Sequence, residues 1–480
     1  MKRRLTGVML AVVALAVVVG CGTGRTVDIP PSASTEQISR APLTERQRAE
    51  NVESFELAWE TIRDNHYDVD FNGVDWDAVR DELRPAIVDA NSMAEARAVI
   101  TDMISRLSES HYAVIPSDAF TDGLSDDLLD DPATNPADAG LPGTAGFNIA
   151  IAGSKAIVTD VSDTVAERHP SIVPGAEVAA VDGKPLEPLL AKLANESAGD
   201  LSGEVVRKMA VLDLLNGAVG SVVEVQVESI EGERQLVGIE RIAPKGELVR
   251  FGNLPPFPIA FDTRVIDTPE GPVVYFTFNI FLAPPKLIPA VRGAVQQAVE
   301  AGAAGMVIDV RGNPGGLGAL AGGIAGFFVD EKGQKLGTMQ QRGTKIDFIV
   351  NPRKPNFAGP LAVLIDGGSM STSEIFAQGL RDLDRARLFG TRTAGAALPS
   401  VIIDLPNGDK LQYAFADYVS DNGQRLEGEG VRPDERVVPD RASFAAGKDP
   451  VVQAALEWIT RQRAAEREQQ REEGEGRRAA

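Results

Sequence analysis

The sequence predicts an α/β protein with a helical segment in front and a mostly-β unit inserted ahead of the α/β core. Three observations predict it. From Glu45 to Leu107 apolar residues recur at helical spacing, as in Phe55, Trp59 and Ile62 and again in Trp76, Val79 and Leu83. From Gly143 to Pro244 short strand-like runs separated by turn signals dominate. From Pro272 onward, continuous apolar runs alternate with amphipathic stretches, the pattern of strands buried between layers of helices.

The chain of 480 residues is long enough for several domains. Residues 1–21 are laid out as an export signal. Lys2, Arg3 and Arg4 precede an apolar run from Gly7 to Val19, which is too short for a permanent membrane span. Val18-Val19-Gly20-Cys21 resembles the bacterial lipobox, in which the cysteine after cleavage carries lipid. Cys21 is the only cysteine, so no intramolecular disulfide or cysteine-cluster metal site is possible. A lipoprotein of the bacterial cell envelope, facing the periplasm or exterior and held to the membrane by Cys21, is the expectation. Residues 22–44, rich in Ser, Thr and Pro, read as a flexible tether. A formal net charge of −21 argues against nucleic-acid partners.

Residues 45–117 form the predicted helical subdomain, closing in Ser108-Glu109-Ser110-His111 and a strand from Tyr112 to Ile115. Residues 118–143, acidic and rich in Gly and Pro, read as a loop. In residues 143–244 strands are expected at Ala145–Ile151, Lys155–Val161, Glu177–Val181 and Val222–Val227, with helical stretches at Leu186–Leu193 and about 195–216. The core, residues 260–462, is expected to hold strands at Pro272–Asn279, Gly305–Val310 and Leu361–Ile365. Its helices are placed at Leu287–Ala301 and Ala319–Phe328, followed by a strand-poor loop. Residues 401–439 return to β structure around the turn Pro406-Asn407-Gly408. A helix from Val451 to Arg463 closes the core, and residues 463–480 read as a frayed, solvated tail.

The chemistry centres on the stretch after Leu361–Ile365. Asp366-Gly367-Gly368 ends the strand, and Ile375, Phe376, Gly379 and Leu380 then fall at helical spacing. Ser369, Ser371 and Ser373 therefore sit in a tight strand-to-helix turn, where the helix N-terminus can stabilise a developing oxyanion. Ser371-x-x-Glu374 is equally the spacing of a capping box. His66 and His169 read as surface residues. No His/Cys/Asp ligand cluster and no phosphate loop appears, so no cofactor and no metal are expected.

The Gly146-Phe147-Asn148-Ile149 loop with VPGAEVAAVDGKPL from Val173 resembles a PDZ domain, although Gly175-Ala176 stands where Gly-Asp is common. That resemblance implies peptide binding at Gly146, Phe147, Asn148 and Ile149, by capture of a C-terminal carboxylate. DVRGNPGG (309–316), GGSMSTSEIF (367–376) and LEGEGVRPD (426–434), in that order, resemble the carboxy-terminal processing (tail-specific) serine peptidases. The likeness covers about residues 50–460 and implies a crotonase- or ClpP-like α/β peptidase core. It makes Ser371 the nucleophile and puts Gly315 or Gly316, with Thr372, at the oxyanion. The processing branch takes its base from a Gly-Lys-Gly about 25 residues on, but Gly395-Ala396-Ala397 stands there; Lys410 follows in a turn. Ser110-His111 resembles the tricorn-like branch, which implies His111 as base, oriented by Ser110. The tetrad's glutamate maps to Glu427, with Glu429 close by. The implied function is a serine endopeptidase cleaving exported or misfolded polypeptides, which could engage a substrate by its C-terminus. Its rivals are an inactive peptide-binding pseudo-peptidase and a carrier of hydrophobic ligands.

Overall fold

The computed structural model describes residues 41–117, 142–196, 203–249 and 257–479. The export segment with Cys21, nearly all of the tether, and most of the acidic loop after Ser117 lie outside the described residues. Among those described, no helix is long and apolar enough to cross a membrane.

Three helices, Glu45–Asn65, Trp76–Asp89 and Met93–Ser105, build the N-terminal subdomain. Thr44 starts the first, its Oγ1 accepting from the Gln47 N–H at 3.3 Å while the Gln47 amide takes the Thr44 N–H at 3.0 Å. Ser92 starts the third by accepting from Glu95 N–H. Their apolar faces enclose Phe55, Trp59, Ile62, Trp76, Ile100 and Met103, and this core continues into Leu411 and Tyr413 from the far end of the chain. The strand Ala113–Ile115 completes the junction by pairing antiparallel with Lys410–Ala414, Ala113 opposite Gln412. Residues 113–115 and 410–412 are thereby held together by a sheet.

The insert forms a six-stranded antiparallel sheet in the order 147–152, 155–161, 177–181, 222–228, 234–240, with the short strand 184–185 paired to 177–181 off that path. Strand 222–228 alternates outward and inward residues, and Val223, Val225 and Val227 enter its core. Helices Leu186–Glu196 and Gly203–Leu215 cover that core through Leu190, Val211 and Leu215.

The peptidase-like core is a six-stranded sheet in the order 261–268, 271–278, 305–309, 361–365, 387–390, 435–436. The first pair is antiparallel and the rest are parallel. Its central strands 305–309 and 361–365 are buried throughout, which is why they read as unbroken apolar runs, while the outermost strand 261–268 is mostly exposed. Met306, Ile308, Val363 and Ile365 face helices Pro284–Glu300, Gly318–Ala325 and Thr372–Asp382. Val307, Ala362 and Leu364 face the opposite way, against Val451, Val452, Ala455 and Ile459 of the closing helix. Burial of each such side chain contributes roughly 1.5–3 kcal/mol.

Three expectations are corrected. The stretch read as strand-poor holds a hairpin, Lys335–Gln341 with Thr344–Ile349, extended by Asp417–Ser420. Its outer strand is almost wholly exposed, although Ile346 and Phe348 alternate with Lys345 and Asp347 along it. The tail is not frayed: one helix runs Pro450–Ala479. Its buried first half supplies the nucleus and Arg467 pairs with Glu270 at 2.7 Å, so polar helix formers propagate it. His66, read as a surface residue, is fully buried.

Candidate active site

Strand Leu361–Ile365 runs into a turn that Asp366 organises, its Oδ1 accepting from Gly368 N–H at 2.9 Å and from Gly312 N–H at 2.7 Å. The 309–316 loop leaves the neighbouring parallel strand, so two strand ends are laced together here. Two of the three serines do the lacing. Ser369 Oγ donates to Val310 O at 2.7 Å and Ser373 Oγ to Asn313 O at 2.9 Å. Ser371 is the one whose hydroxyl is not spent on the scaffold, and it makes no side-chain cap bond to its helix.

Ser371 holds φ +54°, ψ −117°, a conformation that costs a non-glycine residue about 1–3 kcal/mol and clusters at functional turns. Its N–H is bound by Ala396 O at 2.8 Å and by Glu374 Oε2 at 3.0 Å. The capping-box expectation holds, with the Glu374 carboxylate on the Ser371 N–H. Glu374 does more than cap: fully buried, it also accepts from Thr393 Oγ1 and from the N–H groups of Gly395 and Ala396. Burial pushes its carboxyl up to about 7 despite those donors.

The two glycines expected at the oxyanion differ. Gly315 donates its N–H to Asn313 Oδ1 at 3.0 Å. The N–H groups of Gly316 and Thr372 make no hydrogen bond among the described residues. Gly315 still matters, because a Cβ there would meet Ser371 Cβ and Thr372 N at 2.8 Å. Its φ of +96° also suits only glycine comfortably.

The second group of residues comes from the two far ends of the chain. Ser110 N–H donates to Glu427 Oε1 at 2.8 Å, Ser110 Oγ–H to Glu427 Oε2 at 2.8 Å, and Ala397 N–H to Glu427 Oε2 at 2.9 Å. Ser110 Oγ also lies 2.7 Å from His111 Nδ1. A hydroxyl has one proton. If Ser110 gives it to the carboxylate, Nδ1 must carry the proton between ring and hydroxyl, and the lone pair is left on Nε2. That Nε2 is buried and makes no hydrogen bond, neither to Ser371 nor to any other described group. Burial holds the imidazole down at about 4, hence neutral at pH 7. Glu427 is pushed up to about 7 by burial, against the pull of three donors. Of the two glutamates left open by the sequence, Glu427 is the one at Ser110; Glu429 is exposed.

The two groups meet on Gly395-Ala396-Ala397. This buried strap gives its 396 carbonyl to Ser371, its 395 and 396 N–H groups to Glu374 and its 397 N–H to Glu427. Backbone thus occupies the place where the processing branch would carry a lysine. Lys410 instead begins a strand and pairs with Asp404. From the insert, Val205 packs on Met370, Ala394 and Ala396, and the Glu204 side chain lies against Gly367. Gly146, Phe147, Asn148 and Ile149 lie on the insert's outermost strand and its entry, outside this network. Among the described residues no group of three or more His, Cys, Asp and Glu could hold a metal ion. Glu374, Asn313 and Thr393 were not singled out from sequence; only Glu374, three residues after Ser371, carried a local signal.

Residues 279–437 match the profile of Peptidase family S41, and residues 47–105 that of the Tricorn protease C1 domain. The carboxyl-terminal-processing protease of Synechocystis sp. is 25% identical over 418 residues, 84% of this chain and 85% of that protein. The chloroplastic C-terminal processing peptidase of Tetradesmus obliquus is 27% identical over 400 residues, covering 80% and 76%. The fold is similar to that of a photosystem II D1 C-terminal processing protease, with TM-score 0.52 and 20% identity over 86% of this chain and 97% of that one. Mature CPAF gives 0.56 at 14% identity over 87% and 97%.

Proposed function

We propose that the chain is a serine peptidase of family S41, with Ser371 as its nucleophile and His111 as its general base. The observation that carries this reading is the chain Glu427–Ser110–His111, which commits the Nδ1 side of the ring and leaves the Nε2 lone pair for a proton. Ser371 Oγ attacks the peptide carbonyl as its proton passes to Nε2; the imidazolium so formed is stabilised through Ser110 by the Glu427 carboxylate. The tetrahedral oxyanion is received by the N–H groups of Gly316 and Thr372. Collapse expels the amine, which takes the proton from Nε2, and water hydrolyses the acyl-enzyme by the same steps. Closing the Ser371–His111 hydrogen bond is left to the substrate complex, where catalytic contacts commonly tighten.

Around this centre the reading extends to the untested parts of the chain. Residues 143–244 act as a PDZ-like peptide-binding domain that captures a substrate C-terminus along the edge strand at Gly146–Ile149. Val205, resting on the nucleophile turn, couples that domain to the centre. Residues 1–21 direct export, Cys21 carries the lipid anchor, and the substrates are exported or misfolded polypeptides.

The test is proteolysis of a loosely folded protein by the chain lacking residues 1–21, alongside Ser371→Ala, His111→Ala and Lys410→Ala. Cleavage lost in the first two variants and kept in the third is expected. Equal, negligible cleavage in all four would overturn the assignment and favour a peptide-binding or carrier role.

A further inference from the structure

The loop that carries Ser110 and His111 is gripped from its other side by a buried cluster that the reaction scheme does not use. Ser108 and His111 both adopt positive φ, +52° and +64°, and between them the chain sends Glu109 away from Ser110. The Glu109 side chain is 4% exposed. It accepts from His66 Nε2 at 3.0 Å and from Tyr67 OH, while Arg425 Nη2 lies 3.8 Å away. His66 is itself fully buried, with Nδ1 2.8 Å from Asp68 O, its ring stacked on Tyr67 and flanked by Phe71 and Tyr112. Arg425 donates to Tyr67 OH and to Asp417, both at 2.8 Å.

Arg425 and Glu427 belong to one short segment. Residues 108–111 and 425–427 are therefore joined twice, by Ser110 to Glu427 and by Glu109 to Arg425. We propose that His66 and Glu109 are positioning residues for the base: they lock the turn that presents His111 and set the charge beside which Glu427 works. This rests on the assignment of His111 as base. A fully buried histidine bonded to a buried carboxylate is an expensive arrangement to hold merely for packing, where an apolar pair would serve.

The electrostatics have a definite sign. Burial raises the Glu109 carboxyl, but hydrogen bonds from His66, Tyr67 and Asn72 outweigh it and hold the group below its ordinary range. Glu109 is thus a fixed negative charge, and it adds to the upward push on Glu427. The other groups facing this pair are Arg425, Tyr112, His111, Asp68 and Asp417. Removing the Glu109 charge should ease ionisation of Glu427; removing its hydrogen-bond donor at His66 lets burial raise the Glu109 carboxyl and should ease it too, by less.

The experiment is the pH dependence of kcat and KM for the mature chain on a denatured protein or a chromogenic peptide. It compares wild type with Glu109→Gln, His66→Ala, His66→Gln and Tyr67→Phe, with thermal melting measured in parallel. The acid limb of kcat should move down by about half a pH unit in Glu109→Gln and down by less in His66→Ala. His66→Gln, whose amide can still donate to Glu109, should return toward wild type, and Tyr67→Phe, which removes one donor only, should move down slightly. kcat should fall about tenfold in His66→Ala with KM little changed. Unmoved acid limbs, with only the melting temperature lowered, would overturn the proposal while leaving His111 as base. Activity that survives His111→Ala would overturn the assignment it rests on, and the proposal with it.

Discussion

The proposed nucleophile half and the proposed base half of the site are built on opposite plans. Ser371, Glu374, Asn313 and Gly316 come from adjacent parallel strands and the turns that follow them, and the serine-to-glutamate contact spans only three residues. Ser110 and Glu427 are 317 residues apart and meet because a three-residue strand is paired into a hairpin at the other end of the chain. The first half is shaped by local turn chemistry, with a strained φ at Ser371 held by Glu374. The second depends on two subdomains docking correctly. Damage to the fold should therefore cost the base before it costs the nucleophile.

The hardest way to break the comparison is to remove each half in turn. Ser371→Ala and His111→Ala should each lower kcat by about 10⁵–10⁶-fold, and the double variant should be no worse than either, since groups that act as a unit are not additive. Single-turnover kinetics would check it; additive losses would mean the halves work separately.

A finer cut is Glu427→Gln. The amide cannot accept all three donors, so Ser110 turns its hydroxyl toward Nδ1 and the ring proton shifts to Nε2, where no base is left. A fall in kcat of about 10²–10⁴-fold with KM unchanged is expected from steady-state kinetics.

The pH profile sharpens the same point. Glu427, raised to about 7, is needed ionised, and His111, lowered to about 4, is already neutral. kcat should therefore fall about tenfold per unit below pH 7. Stability should run the other way. Glu374 and Glu427 have folded-state values above the ordinary 4.5, so their contribution is full below that value and is lost as pH rises through about 7. Chemical denaturation at pH 5 and pH 8 would register it.

The smallest effect is expected where the insert touches the nucleophile turn. Burial, with Asp366 nearby, pushes Glu204 up to about 7. Glu204→Gln should match wild type in melting temperature at pH 4 and exceed it at pH 8, by about 1–2 kcal/mol of stability.

Much of the nucleophile half was legible because it is written in contiguous residues: an apolar strand, Asp-Gly-Gly, three serines, a glutamate and an amphipathic helix. Period and turn chemistry are local, so strands Lys155–Val161, Glu177–Val181 and Leu361–Ile365 are also found where they were expected. The resemblance already pointed to Ser371; what space adds is that the hydroxyls of Ser369 and Ser373 bind the 309–316 loop. The choice of Glu427 over Glu429, and of the Gly316 N–H over that of Gly315, was decided in space. His66 is the sharpest case. A histidine in a polar stretch reads as a surface residue, and only a carboxylate 43 positions on, brought beside it by docking of the helices, makes its burial tolerable. The amino-acid order determined the elements, the motif-bearing turns and the family, because those follow from neighbours along the chain. Which buried polar group is satisfied and which is left free was decided by the tertiary structure alone, because a hydrogen bond between distant residues exists only once the backbone has brought them within about 3 Å.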